Sequence, residues 1–285
     1  MPIHPGKLSI RRVLTKTPLA RQHERAKPGG RVRAARAVPW ATFDRSKYPA
    51  SALALAENAM LALAGGEYGA VDAFSRLVSA LARNGAPFDL VSAAAEVPID
   101  EVRHAELALR TASLYAGKDV AVDLDTSSFD TPWPSTGSLE DLDAAMVQLP
   151  TISETLAAAL IDACRERATD PMARAVFSTI MADEVHHLRL GWYYLAWREP
   201  QWTRAERQRA ADVAGHMIVQ IERQFWNGRD APRGSQRAAA ALGVLDSKTQ
   251  RAAIKRVVED ELLPGLDALG LGASRAWRVR VRGKA

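Results

Sequence analysis

A chain of 285 residues with 47% hydrophobic and 25% charged residues has a globular composition, and it is long enough for one domain with a sizeable core plus additions. The net charge of +5 is unevenly spread: residues 1–38 hold ten Lys/Arg against Glu24 alone, and the rest of the chain carries a net −4. One cysteine, Cys164, excludes an internal disulfide and a CxxC metal site, no apolar run reaches the roughly 18 residues of a membrane span, and no apolar signal core follows Arg11 and Arg12, so the sequence reads as cytoplasmic.

The basic arm, residues 1–38, has no Lys/Arg spacing that forms a motif. Its plain reading is an extended segment packed on the body or on a second subunit; its functional reading is a phosphate-binding arm. After "VPWATFDRSKYPAS" an alanine-rich helix is expected from about 50 to 83, since Ala loses no side-chain entropy on helix formation. "RNGAP" supplies Asn and Gly for a left-handed stop and Pro87 to start a second helix, running to about Tyr115 with an internal Pro98. A polar stretch rich in Pro, Ser, Thr and Gly follows, longer than a tight turn needs and suited to a crossover between bundle ends. A third helix starts near Leu139 or Thr151 and ends near Ala168. "TDP" (Thr169–Pro171) caps a fourth, which reaches Arg198. Further helices are expected over about 203–226, 235–242 and 248–269. The expected class is all-α, organised as an arm (1–38), a four-helix bundle (39–200), and C-terminal helices packed on it (201–285).

The two hairpins repeat one pattern. "DEVRHAEL" on the second helix places Glu101 and His104 three residues apart, on one helical face; "DEVHHLRL" on the fourth does the same with Glu184 and His187. One Glu-x-x-His is usually a surface coincidence. Here each motif faces a lone glutamate at the same depth. At 1.5 Å per residue, Glu67 and Glu101 lie roughly 27 and 24 Å from the first turn, and Glu154 and Glu184 roughly 24 and 21 Å from the second. Glu57, Glu96 and Glu166 fall too far from their turns or too near them. Apolar neighbours at helical spacing turn Glu67, Glu154 and Glu184 inward. Four inward carboxylates in one layer repel each other unless cations join them. Glu67, Glu101, His104, Glu154, Glu184 and His187 are therefore expected to hold two metal ions, and the Glu/His donor set suits iron or manganese better than zinc. Asp100 and Asp183 are expected to accept hydrogen bonds from the far nitrogens of the liganding histidines, with Arg103 paired to one of these carboxylates.

These residues resemble the ferritin-like superfamily of di-iron carboxylate proteins. "GGEYGAVDAFSRLVSALARNGAP" with "DEVRHAELALRTASL" looks like the first hairpin of bacterial ferritin-like domain proteins, and "SETLAAALIDACRERATDPMARAVFSTIMADEVHHLRLGWYYLAW" like the second. The likeness covers about residues 50–198 without the crossover. It implies the same six metal ligands and chemistry with dioxygen or peroxide. The chain departs from cage ferritins by its additions, and from rubrerythrin-like peroxidases by its single cysteine. It departs from aryl-amine N-oxygenases by Ile180, where those carry a further histidine; His216 on the fifth helix is the remaining candidate third histidine. The aromatics Trp192, Tyr193, Tyr194 and Trp197 read as core and interface residues, with electron transfer or pocket lining as the alternative.

The functional expectation is an O2-activating non-heme di-iron oxidase or oxygenase. Its substrate would be a small organic molecule admitted beside Ala64, Ala70, Ala157 and Ala158, with Fe/Fe, Mn/Fe or Mn/Mn at the site. The reading leaves room for an external electron donor and a homodimer, and calls for no membrane. The alternatives are an iron-handling ferroxidase or antioxidant protein without organic substrate, and a hydroxylase acting on a nucleic-acid base held by the arm.

Overall fold

The computed structural model describes residues 7–10, 38–125, 139–225 and 232–281, and within them the protein is helical apart from two short strands. In chain order these are β1 (Lys7–Ile10), α1 (Ala50–Arg83), α2 (Phe88–Ala116), β2 (Val122–Asp125) and α3 (Leu139–Met146). A wide π turn (Val147–Ser153) joins α3 without a break to α4 (Glu154–Arg167), which is followed by α5 (Pro171–Arg198). Then come α6 (Arg204–Phe225), α7 (Arg233–Ala240), α8 (Ser247–Val257), a second π turn (Val258–Leu262), α9 (Leu263–Ala268) and α10 (Ala273–Arg278).

The hairpins form where the sequence places them. At the first turn Gly85 takes φ +68°, a left-handed conformation that a Cβ would strain, and the Ala86 N–H donates to the Leu81 carbonyl. At the second, the Asp170 side chain accepts from the backbone N–H groups of Met172 and Ala173, and Pro171 opens α5. The Tyr48 hydroxyl also donates to Asp170 (2.8 Å), which ties the segment before α1 to this turn. The two hairpins pack on each other through α2 and α5.

Two apolar clusters run along the helices. One gathers Phe74, Leu77, Met146, Ile152, Leu190 and Tyr194 and continues into α6 and α8–α10 through Ile218, Leu262 and Trp277. The other gathers Leu53, Met60, Leu109, Tyr115, Met172 and Phe177, with Trp40, Phe43 and Tyr48 packed against it. Between the clusters lies the layer carrying the repeated Glu/His motifs. Residues 141–167 are long and apolar enough to cross a membrane, but most of that stretch is buried and it carries Glu154 into this layer.

Three features depart from the helix-only expectation. β1 pairs antiparallel with β2, Leu8 opposite Leu124 and Ile10 opposite Val122, so part of the arm is a strand bound to the start of the crossover. "VDLD" alternates, but over four residues that is too short to register as a strand. The long third helix contains the π turn around Pro150, which periodicity alone does not show. Past Leu269, Gly272 leads into the short α10, where a basic tail is expected. The rest of the arm (1–6 and 11–37) and of the crossover (126–138) lies outside the described residues.

Candidate metal centre

α2 and α5 bring their motifs face to face. Glu101, His104, Glu184 and His187 are all buried, and each offers an atom to one cluster whose members lie within 4.8 Å of one another. This group of two glutamates and two histidines can hold a metal ion. Its arrangement is close to reciprocal. Glu101 presents Oε2 to His104 Nδ1 at 3.4 Å and Oε1 to His187 Nδ1 at 3.2 Å. Glu184 presents Oε1 to His104 Nδ1 at 3.2 Å and Oε2 to His187 Nδ1 at 3.8 Å. Each of these two carboxylates thus faces both histidines, one oxygen to each. The remaining glutamates flank the group: Glu67 Oε2 is 3.7 Å from His104 Nδ1, and Glu154 Oε2 is 3.9 Å from His187 Nδ1. The six residues singled out by depth and spacing therefore share one layer.

The far nitrogens face the aspartates, and the pairing crosses between the helices. His104 Nε2 on α2 meets Asp183 Oδ2 on α5 at 3.3 Å, and His187 Nε2 on α5 meets Asp100 Oδ2 on α2 at 3.5 Å. The His104–Asp183 contact suits the imidazole tautomer that carries its proton on Nε2 and leaves Nδ1 for an ion; the His187–Asp100 contact is an ion-pair approach, and His187 Nε2 makes no hydrogen bond. Arg103 Nη1 bonds Asp100 (3.0 Å) and Asp183 (3.3 Å), so one buried guanidinium serves both aspartates, not one. The equivalent place in the second motif, His186, is exposed.

The donor chemistry fits a cation. Glu101 Oε2, Glu184 Oε2 and the Nδ1 atoms of His104 and His187 are buried without a hydrogen-bond partner, although they lie close together. A buried polar atom without a partner costs roughly 1–3 kcal/mol, more when charged. Four such atoms aimed at one space are what a metal ion satisfies. Proton affinities tell the same story. Burial foremost pushes Glu67 up to about 8; the Glu101 charge adds to this and His104 opposes it. Burial, then the Glu184 and Glu101 charges, raises Glu154 well above the carboxylate range. Burial would lower both imidazoles, yet Asp183 and the glutamates around His104, and Asp100 and Glu101 around His187, raise them well above normal. Burial would likewise raise Glu101, but His104 and His187 hold it well below. Without a cation, the layer retains protons in its place.

His216 on α6 is exposed, and no contact joins it to the cluster. Of the aromatics, Tyr193 is exposed and Tyr194 fully buried, with Trp197 edge-on to it at 5.5 Å. Sequence reasoning missed what Tyr194 does. Its hydroxyl donates to buried Asp143 (2.7 Å), which also accepts from the Trp202 indole (2.8 Å) and pairs with Arg198 (3.2 Å). This polar knot pins α3, α5 and the start of α6 beyond the metal layer. The only sequence signal for it is an aspartate within an apolar helical run. Phe74, at 6.1 Å from the His187 ring, closes the layer on that side. No model of a known protein family and no curated protein sequence matches the chain.

Proposed function

We propose that the protein is a ferritin-like, O2-activating non-heme di-iron oxidase or oxygenase acting on a small organic molecule. The observation that carries this reading is the set of four buried, unpartnered ligand atoms at the centre of a Glu/His layer. Glu67, Glu101, His104, Glu154, Glu184 and His187 would hold the two ions, with Glu101 and Glu184 each near both histidines. Two iron ions held there supply redox chemistry toward O2, with electrons drawn from the substrate or an external donor. Manganese fits the same donors.

The chain's own groups prepare the site. Asp183 orients the His104 imidazole, Asp100 lies beside His187, Arg103 balances the aspartates, and Phe74 lies against the His187 ring. Glu67 and Glu154 keep nearly equal side-chain exposure, 11% and 9%, and Ala70 and Ala157, one helical turn on from each, are both partly exposed. These small residues leave room for a substrate.

Loading the metal-free protein anaerobically with two ferrous ions per chain and following O2 uptake tests the proposal. The expected result is uptake that a screened organic compound accelerates, with an oxidised product identified by mass spectrometry. Uptake that depends only on further ferrous iron, whatever compound is added, would favour the iron-handling alternative.

A further inference from the structure

Glu154 is the one proposed ligand at the junction of a π turn with an α-helix, as the first residue of α4. Its backbone N–H donates to the Leu149 carbonyl, five residues back, at the end of the π turn Val147–Ser153. The cause is local. Pro150 has no N–H to give the Met146 carbonyl four residues earlier, and its ring crowds that carbonyl. The wide turn relieves the crowding, and the Thr151 hydroxyl donates to the Met146 oxygen (2.7 Å) in place of the missing bond. Such turns recur at functional sites because they re-aim side chains.

This turn has a seat on α5. Gly191 lies one helical turn past His187 and is buried. A Cβ added there would stand 2.4 Å from Thr151 Oγ1, 2.6 Å from Thr151 N and 2.7 Å from the Pro150 carbonyl carbon. Two of these are backbone atoms, so no rotamer change makes room; the whole turn would have to back away. Only glycine lets the π turn rest on the helix that carries Glu184 and His187. Glu154 emerges directly from that resting point.

We propose that Gly191 and the Pro150–Thr151 turn are positioning residues that hold Glu154 at the metal layer, so that the ion beside His187 depends on a glycine that touches no metal. The proposal rests on the di-metal reading. Gly191→Ala should move α4 outward, withdraw the Glu154 carboxylate, and leave the His104 side unchanged.

The experiment is a Co(II) titration of the metal-free protein followed by visible absorption. It compares wild type, Gly191→Ala, Thr151→Val, Glu154→Asp and Leu266→Ala. Glu154→Asp withdraws the same carboxylate by shortening its stem. Leu266→Ala opens a cavity in the C-terminal core and serves as a control for lost stability alone. Wild type and Leu266→Ala should each take up two equivalents. Gly191→Ala and Glu154→Asp should keep one and weaken the other roughly ten- to a hundredfold. Thr151→Val, which keeps the shape of the turn but not its bond to Met146, should weaken the same ion less, and it decides the matter alone should Gly191→Ala not fold. If wild type binds no cobalt, the metal reading fails. If wild type, Gly191→Ala and Thr151→Val all bind two equivalents with equal affinity, the metal reading stands and the positioning role is overturned.

Discussion

The two hairpins present the same Asp-Glu-x-x-His pattern from different surroundings. On the α1–α2 side, Glu67 sits on a regular helix that is crossed from outside by β2: a Cβ on Gly65 would lie 3.1 Å from Leu124. On the α4–α5 side, Glu154 leaves a π turn pressed onto Gly191. The outer contacts differ too. Arg103 lies between both aspartates, while its counterpart His186 points to solvent. A repeated ligand pattern therefore does not make two equivalent half-sites. One ligand stands on a regular helix, the other on a turn that a glycine seats.

The contrast between Arg103 and His186 is the sharpest to test. Arg103→Ala leaves Asp100 and Asp183 without their shared cation, and breaking a buried pair in this way costs roughly 3–5 kcal/mol. His186→Ala, on the exposed face, should change stability by no more than about 0.5 kcal/mol. Denaturant unfolding of the two variants gives both numbers, and equal losses would erase the distinction drawn between the motifs.

Next in size is the pH dependence of the metal-free protein. Glu67 titrates near 8 when folded against an ordinary value of 4.5, and Glu154, His104 and His187 are also raised. Their contribution to stability is full below the unfolded values and is lost as pH rises through the folded ones. Glu101 and Asp100 are lowered, and their contribution fades only in more acid solution. Thermal melts of the metal-free protein should thus shift downward from pH 5 to pH 8, and added Fe(II) or Mn(II) should restore stability most at pH 8. A melting temperature that rises over this window without metal would contradict the account of the layer.

The smallest expected effect concerns the arm. Deleting residues 1–38 removes β1 and unpairs β2, but a two-stranded pair is marginal on its own, and none of the six proposed ligands lies there. Metal content should be unchanged and the stability loss about 1 kcal/mol or less. Extending the deletion to residue 49 removes Trp40, Phe43 and Tyr48, with the bond from Tyr48 to Asp170, and should cost clearly more. Loss of metal on the shorter deletion would show that the strand pair supports the Glu67 side.

What the sequence made legible follows from what repeats at a fixed period. The limits of α1 and α5 at 50–83 and 171–198, the turns at Gly85 and Asp170, and the inward depth of Glu67, Glu101, Glu154 and Glu184 all depend on spacing along single helices. What escaped depends on contacts between elements. The crossed pairing of Asp100 with His187 and Asp183 with His104 requires knowing which helices face each other. Gly191 looks like any small helical residue until Pro150 and Thr151 are placed against it, and Asp143 looks like a surface acid until Tyr194, Arg198 and Trp202 surround it.

Whether the two motifs together form one metal-binding layer is decided by metal analysis of iron-reconstituted wild type beside Glu101→Ala and His187→Ala. A shared layer requires about two ions per chain in the wild type, the number a di-metal carboxylate site holds. It predicts loss of both in Glu101→Ala, whose carboxylate faces both histidines, and loss of at least one in His187→Ala. Full loading in both variants, or no bound metal in the wild type, would contradict it.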